Sequence, residues 1–207
     1  MNFKEALEEL RKKNKKRNFD QTLELIINLK DFNIKQESFN LVISLPHPFK
    51  KKKITAFLES NLPYKILEKV ITKADMEKIS KREMKKIIKK SDFFIANTKL
   101  MPLIAMKFGK LLGSSGKMPD PAAGCIISKE DEKTIKEIIE RLNHIEKIRV
   151  KEQSIKLPVG KESMEDEKLL DNIKVAFNTI IEKLPKKEKN VKNVILKFTM
   201  SPWVQVK

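Results

Sequence analysis

The strongest constraint in this chain is a change of hydrophobic period along its length. Near both ends apolar residues alternate with polar ones, whereas the middle alternates short apolar runs with amphipathic stretches. Leu23, Leu25, Ile27 and Leu29 point one way and Thr22, Glu24, Ile26 and Asn28 the other, and Leu41, Ile43 and Leu45 repeat the pattern. A two-residue period places one such set on the core side of a half-buried sheet. The pattern returns over Ile145 to Val150, Ile155 to Leu157, and Val191 to Val206, where Val194, Leu196 and Phe198 alternate with Ile195, Lys197 and Thr199. Each end also offers an amphipathic helix. One runs from Asn2 to Lys13 with Phe3, Ala6, Leu7 and Leu10 on a stripe; the other opens on a Ser163 and Asp166 capping box and carries Leu169, Ile173, Ala176, Phe177, Ile180, Ile181 and Leu184. Neither end alone has enough apolar surface to close a core. The expectation is a discontinuous α+β terminal domain, residues 1–48 and 147–207, with a second domain, 49–146, inserted in it.

Within the insertion Ile54 to Leu58, Lys69 to Thr72, Asp92 to Ala96 and Cys125 to Ile127 read as strands. Between and after them, Met76 to Lys89, Leu100 to Leu112 and a stretch opened by Ser128 and Asp131 and reaching Leu142 read as helices. Such alternation predicts a small, mostly parallel sheet covered on its faces. Pro46-His47-Pro48, which no central strand tolerates, and the lysines Lys50 to Lys53 mark the first crossing between the domains.

Charge narrows the partner. Against 28 Asp and Glu stand 45 Lys and Arg, a formal net charge of +17, which points to a polyanion. With no run of about 18 apolar residues, no lipidation motif and no signal-peptide pattern, nucleic acid is expected and a membrane is not. The single cysteine, Cys125, suits a reducing compartment, and the cytoplasm is the expected location.

Catalytic signatures are missing. His47 and His144 stand at no metal-ligand spacing, and Cys125 lies in an apolar run, so a buried, inert thiol is expected. Gly113 to Lys117 fails as a P-loop: Leu111 occupies the first glycine position, Met118 replaces the hydroxyl, and the segment follows a helix. Lys117 and the loop amides remain candidates for a phosphate contact. No catalytic residue, metal or cofactor is expected.

Two other stretches draw attention. Thr199-Met200-Ser201-Pro202 interrupts the last strand pair, and such a corner is either a contact surface or a turn that closes a sheet. The basic cluster ending at Arg17 leads directly into Asn18 and Phe19, at the start of the first strand.

Several blocks then fall in one order: R-N-F-D-Q-T at Arg17 to Thr22, V-I-S-L-P-H at Val42 to His47, D-F-F-I-A at Asp92 to Ala96, and L-M-P-L-I at Leu100 to Ile104. They continue with L-L-G-S-S-G-K-M-P at Leu111 to Pro119, L-P-V-G-K at Leu157 to Lys161, D-N-I at Asp171 to Ile173, and K-F-T-M-S-P at Lys197 to Pro202. Together they resemble the archaeal-type form of the ribosomal protein L-one family, the large-subunit stalk proteins. The resemblance implies a Rossmann-like three-layer arrangement for the inserted α/β domain and no enzymatic activity. It implies binding to the large-subunit rRNA of the mobile stalk, action on exit-site tRNA and its release, and repression of the protein's own mRNA. It further implies a monomer off the ribosome, and hinges near Pro46 to Lys50 and Asn143 to Lys147. Carried onto this sequence, the RNA site comprises Arg17, Asn18, Phe19, Thr22, Lys197, Thr199, Met200 and Ser201, with Ser201 where the family pattern has glycine. Ser114 and Ser115 also depart from the family's usual proline and arginine, which leaves Lys117 to supply charge there. A repressor acting off the ribosome would use the same surface, whereas a nucleotide enzyme would need Gly113 to Lys117.

Overall fold

In the computed structural model, residues 2–37, 39–60 and 66–206 are described. The elements run α1 (Phe3–Lys13), β1 (Thr22–Leu29), α2 (Ile34–Glu37), β2 (Asn40–Ser44), β3 (Ile54–Phe57), β4 (Lys69–Ile71), α3 (Lys73–Lys78), α4 (Lys81–Lys90) and β5 (Phe93–Asn97). There follow α5 (Met101–Ser115), β6 (Ile126–Ile127), α6 (Glu132–His144), β7 (Ile145–Arg149), β8 (Ser154–Lys161), α7 (Asp166–Lys183), β9 (Val191–Phe198) and β10 (Val204–Gln205). The chain divides into two compact units, Met1–Phe49 with His144–Lys207, and Lys50–Asn143.

In the terminal unit the alternating residues pair as antiparallel strands in the order β10-β9-β1-β8. Leu23, Leu25, Ile27 and Leu29 of β1 are buried in one core with Ile155 and Leu157 of β8 and Val194, Leu196 and Phe198 of β9. A β-bulge between Leu23 and Glu24 falls opposite Pro158, on an edge strand, where a missing backbone donor is tolerated. The helices α1 and α7 cover the same inner face, and Phe3 meets Phe177 edge to face at 5.4 Å. Gly160 lets Leu169 of α7 come close, since a Cβ there would lie 2.2 Å from Leu169 Cδ2 and displace that side chain. A separate antiparallel ribbon, β2 with β7, adds Leu41, Ile43 and Ile148 to the core.

The internal unit holds a four-stranded parallel sheet in the order β4-β3-β5-β6. Every residue of β3 and β5 is buried, so both faces of these central strands are covered, as continuous apolar runs require. On one face Phe57 stacks on Phe94 at 5.7 Å, beneath Met76, Met84, Ile88, Ile104 and Phe108.

Several sequence expectations shift. Met76 to Lys89 forms parts of two helices, because Ser80 and Glu83 make a capping box that starts α4 anew. The loop expected from Gly113 is helical through Ser115, and α5 ends at Gly116, whose φ of 70° is the left-handed region that glycine favours. The other two capping boxes do not form. Ser163 gives its amide and hydroxyl to the Asp20 carboxylate, and α7 starts three residues later; α6 starts at Glu132, beyond Ser128. Within Asn143 to Lys147, where the second hinge is expected and where the two units divide between Asn143 and His144, Ile145, Glu146 and Lys147 pair with Ser44, Ile43 and Val42.

Candidate nucleic-acid interface

Where β1 begins, β9 ends, with Leu23 opposite Phe198. One step further the Thr199 N–H donates to the Thr22 carbonyl at 3.1 Å, and the Thr22 N–H donates to Thr199 Oγ1 at 3.1 Å. Strand start and bend thus form one surface. On the other flank Lys161, opposite Thr22 on β8, donates from Nζ to Thr22 Oγ1 at 2.9 Å and to the Asp20 carbonyl at 3.3 Å.

A polar network braces this surface from behind. Buried Gln21 accepts the Met200 N–H at 3.0 Å and donates to Asn14 Oδ1 at 2.9 Å and Glu162 Oε2 at 3.0 Å. Asn14 also donates to Glu162 Oε1 at 2.6 Å. Arg11 pairs with Asp166 at 2.6 Å and donates to the carbonyls of Glu162 and Met164. A satisfied network of this kind rigidifies what it holds.

In front of that brace, Phe19 is 51% exposed, and Met200, held by its amide on Gln21, is 57% exposed. Arg17, Asn18 and Thr199 are exposed, and the Lys197 ammonium reaches the Thr199 carbonyl at 3.3 Å. The arrangement presents apolar and hydroxyl-bearing side chains on a fixed base, with cations beside them. Such a surface suits a polyanion read by shape, with charges for position and neutral groups for fit.

Two expected contacts turn inward. Ser201 is buried, its hydroxyl accepting the Phe198 N–H at 2.9 Å and donating to the Pro202 carbonyl at 2.8 Å. Among the described residues only Asp31, Lys187, Gly116 and Gly124 have positive φ, so this bend has no need of glycine's freedom. Lys117 donates to the carbonyls of Ile88 at 2.7 Å and Ser91 at 2.6 Å, at the end of α4. Burial pushes its pKa down, partly offset by Asp92. The preceding Gly113 to Ser115 form the last turn of α5, where a helix presents carbonyls and not amides.

Sequence reasoning missed Gln21 and Lys161, although both lie inside the motif blocks at Arg17 to Thr22 and Leu157 to Lys161. Among the described residues no group of three or more His, Cys, Asp or Glu could hold a metal ion, and no helix is long and apolar enough to cross a membrane. His144 Nδ1 lies 2.9 Å from the Leu45 carbonyl oxygen, the His47 N–H donates to Asn172 Oδ1 at 3.0 Å, and Cys125 is buried.

Residues 10–202 match the Ribosomal protein L1p/L10e family. The chain is 36% identical to the large ribosomal subunit protein uL1 of Nanoarchaeum equitans, over 93% of each chain. It is 36% identical to uL1 of Pyrococcus abyssi, covering 98% of this chain and 94% of that one. With uL1 of Thermococcus kodakarensis the identity is 35%, over 98% of this chain and 95% of that one.

Proposed function

From the premise that this chain belongs to the ribosomal protein L1p/L10e family, whose members are large-subunit proteins and not enzymes, we propose that its bend surface binds the ribosomal RNA of the stalk. The protein is a constituent of the large ribosomal subunit and its place is the cytoplasm. The observation that carries the RNA reading is the junction of Thr22 and Thr199, which sets Phe19 and Met200 in solvent above a fully bonded Gln21.

Arg17, Asn18, Lys161 and Lys197 hold phosphates and give affinity that falls with salt. Phe19, Thr22, Thr199 and Met200 supply the fit, against the irregular groove and 2′-hydroxyls of a folded RNA. Ser201 acts through the bend and Lys117 through α4; neither touches RNA. The two compact units work as domains, the terminal one anchoring the protein and the internal one, a three-layer α/β domain, moving with the stalk as exit-site tRNA leaves. A stretch of the protein's own messenger RNA that mimics the stalk competes for the same surface and represses translation.

The test is binding of the wild type and of Thr199→Val, Met200→Ala to a stalk-RNA fragment and to an unrelated duplex, across a salt series. The double variant should lose at least about tenfold on the stalk RNA, on the order of one lost specific contact, and keep its weak, salt-steep binding to the duplex. A wild type that binds both RNAs equally, or a variant that still prefers the stalk RNA as strongly, sinks the proposal.

A further inference from the structure

We propose that Trp203 is a stacking platform for an unpaired base, extending the RNA surface from the bend onto the open face of the terminal unit's sheet. The inference rests on the RNA-binding reading above and adds a residue and a ligand feature to it.

Trp203 is the only tryptophan of the chain and is 59% exposed, more than Phe19. Its position explains why. Val204 pairs with Leu196 and is buried in the core, so the two-residue period turns Gln205 to the opposite, outer face, and Trp203, immediately before β10, is exposed beside buried Val204. The core helices α1 and α7 lie on the inner face. On the outer face Ile26 and Ile195 stand opposite each other on β1 and β9, only partly buried, with Lys156 opposite Ile26 on β8. Lys197 lies on that face two residues before the bend. Trp203 therefore stands in solvent at the start of the edge strand β10, next to the bend and one step beyond the Val204–Leu196 pair, towards Lys197.

The occupant follows from chemistry. An exposed indole on a sheet can stack on any base, because every base has a π-face, and nearby cations hold the backbone that carries it. A protein partner would favour a patch poor in charge, whereas this one carries Lys156, Lys197 and, opposite Lys197, Glu24. Paired bases present no free face, so the platform selects an unpaired nucleotide next to the segment held at the bend.

Being the sole tryptophan, Trp203 reports on itself. The full-length chain is titrated, with emission and filter retention read in parallel, against a stalk fragment that retains its unpaired nucleotides, a fully paired version of it, and oligouridylate. Emission should be quenched in step with binding of the first RNA and of oligouridylate. Trp203→Ala should lose roughly tenfold on the fragment with unpaired nucleotides and little on the paired one, while Trp203→Phe keeps most of the affinity. Unchanged thermal melting of both variants separates this loss from misfolding. If the stalk fragment is retained with no change in emission, or Trp203→Ala binds it as the wild type does, the platform is overturned. Should the wild type fail to prefer stalk RNA over an unrelated duplex while oligouridylate still quenches Trp203, the bend reading falls and the platform stands.

Discussion

At the bend of the terminal unit, Phe19 and Met200 stand in solvent above a satisfied network; at the carboxyl edge of the internal unit's sheet, the chain fills its own polar crevice. The order β4-β3-β5-β6 reverses direction between β3 and β5, and open α/β sheets bind ligands outside the carboxyl ends of their strands at such a point. Here the Glu130 carboxylate accepts the Glu59 and Ser60 N–H groups at 2.7 and 3.0 Å, the Ser60 hydroxyl at 2.7 Å and Asn97 Nδ2 at 2.7 Å. Those donors are what a phosphate would seek, and a side chain of the protein already meets them. Convergent donors make a ligand site only where the fold leaves them unmet. A nucleotide-binding topology therefore need not bring nucleotide chemistry with it.

Removing the internal anion should produce the largest effect. Glu130→Ala leaves several donors without a partner and should cost about 3 kcal/mol in chemical denaturation. Burial alone would raise the Glu130 carboxyl, but the hydrogen bonds from Glu59, Ser60 and Asn97 outweigh it and hold the group below its ordinary value. Its stabilisation is therefore complete above the unfolded-chain value of about 4.3 and is lost as pH falls through the lower native value. The stability difference between wild type and Glu130→Gln should shrink over that fall. A difference that stays constant with pH would show that the carboxylate charge is not what fills the crevice.

Gln21→Ala tests the bend of the terminal unit. It strips the Met200 N–H and Glu162 of a buried partner and should cost about 2 kcal/mol, while loosening the bend enough to weaken RNA binding. Equal RNA affinity in this variant, measured below its melting transition, would mean that the network is not what holds Met200 in place. The smallest effect belongs to Ser201→Gly. Loss of the hydroxyl that accepts the Phe198 N–H should lower stability by about 1 kcal/mol and leave stalk-RNA affinity nearly unchanged, as melting and binding together would show. A large loss of affinity would return Ser201 to the contact surface.

Much of the secondary structure was legible. The alternation around Leu23 to Leu29 located β1, and the stripe through Leu169 to Ile181 located α7, because a period reports which side of an element meets the core. Helix boundaries were less so. The Ser163 hydroxyl had Asp20 as a competing partner, far away in sequence, and no local signature announces such competition.

The periods of the strands and helices, the parallel character of the internal sheet, a strong positive charge and the motif blocks that carry Phe19, Thr22, Thr199 and Met200 are all written in the order of the residues. Which of those side chains face solvent depends on the folded core. It turned Ser201 and Lys117 to backbone groups, brought Lys161 to Thr22, and set Gln21 behind Met200. Periodicity is a property of neighbours, whereas Gln21 and Glu162 lie 141 positions apart and Thr22 and Thr199 lie 177 apart. Their meeting depends on the register of β1 against β8 and β9, which packing of the whole core selects.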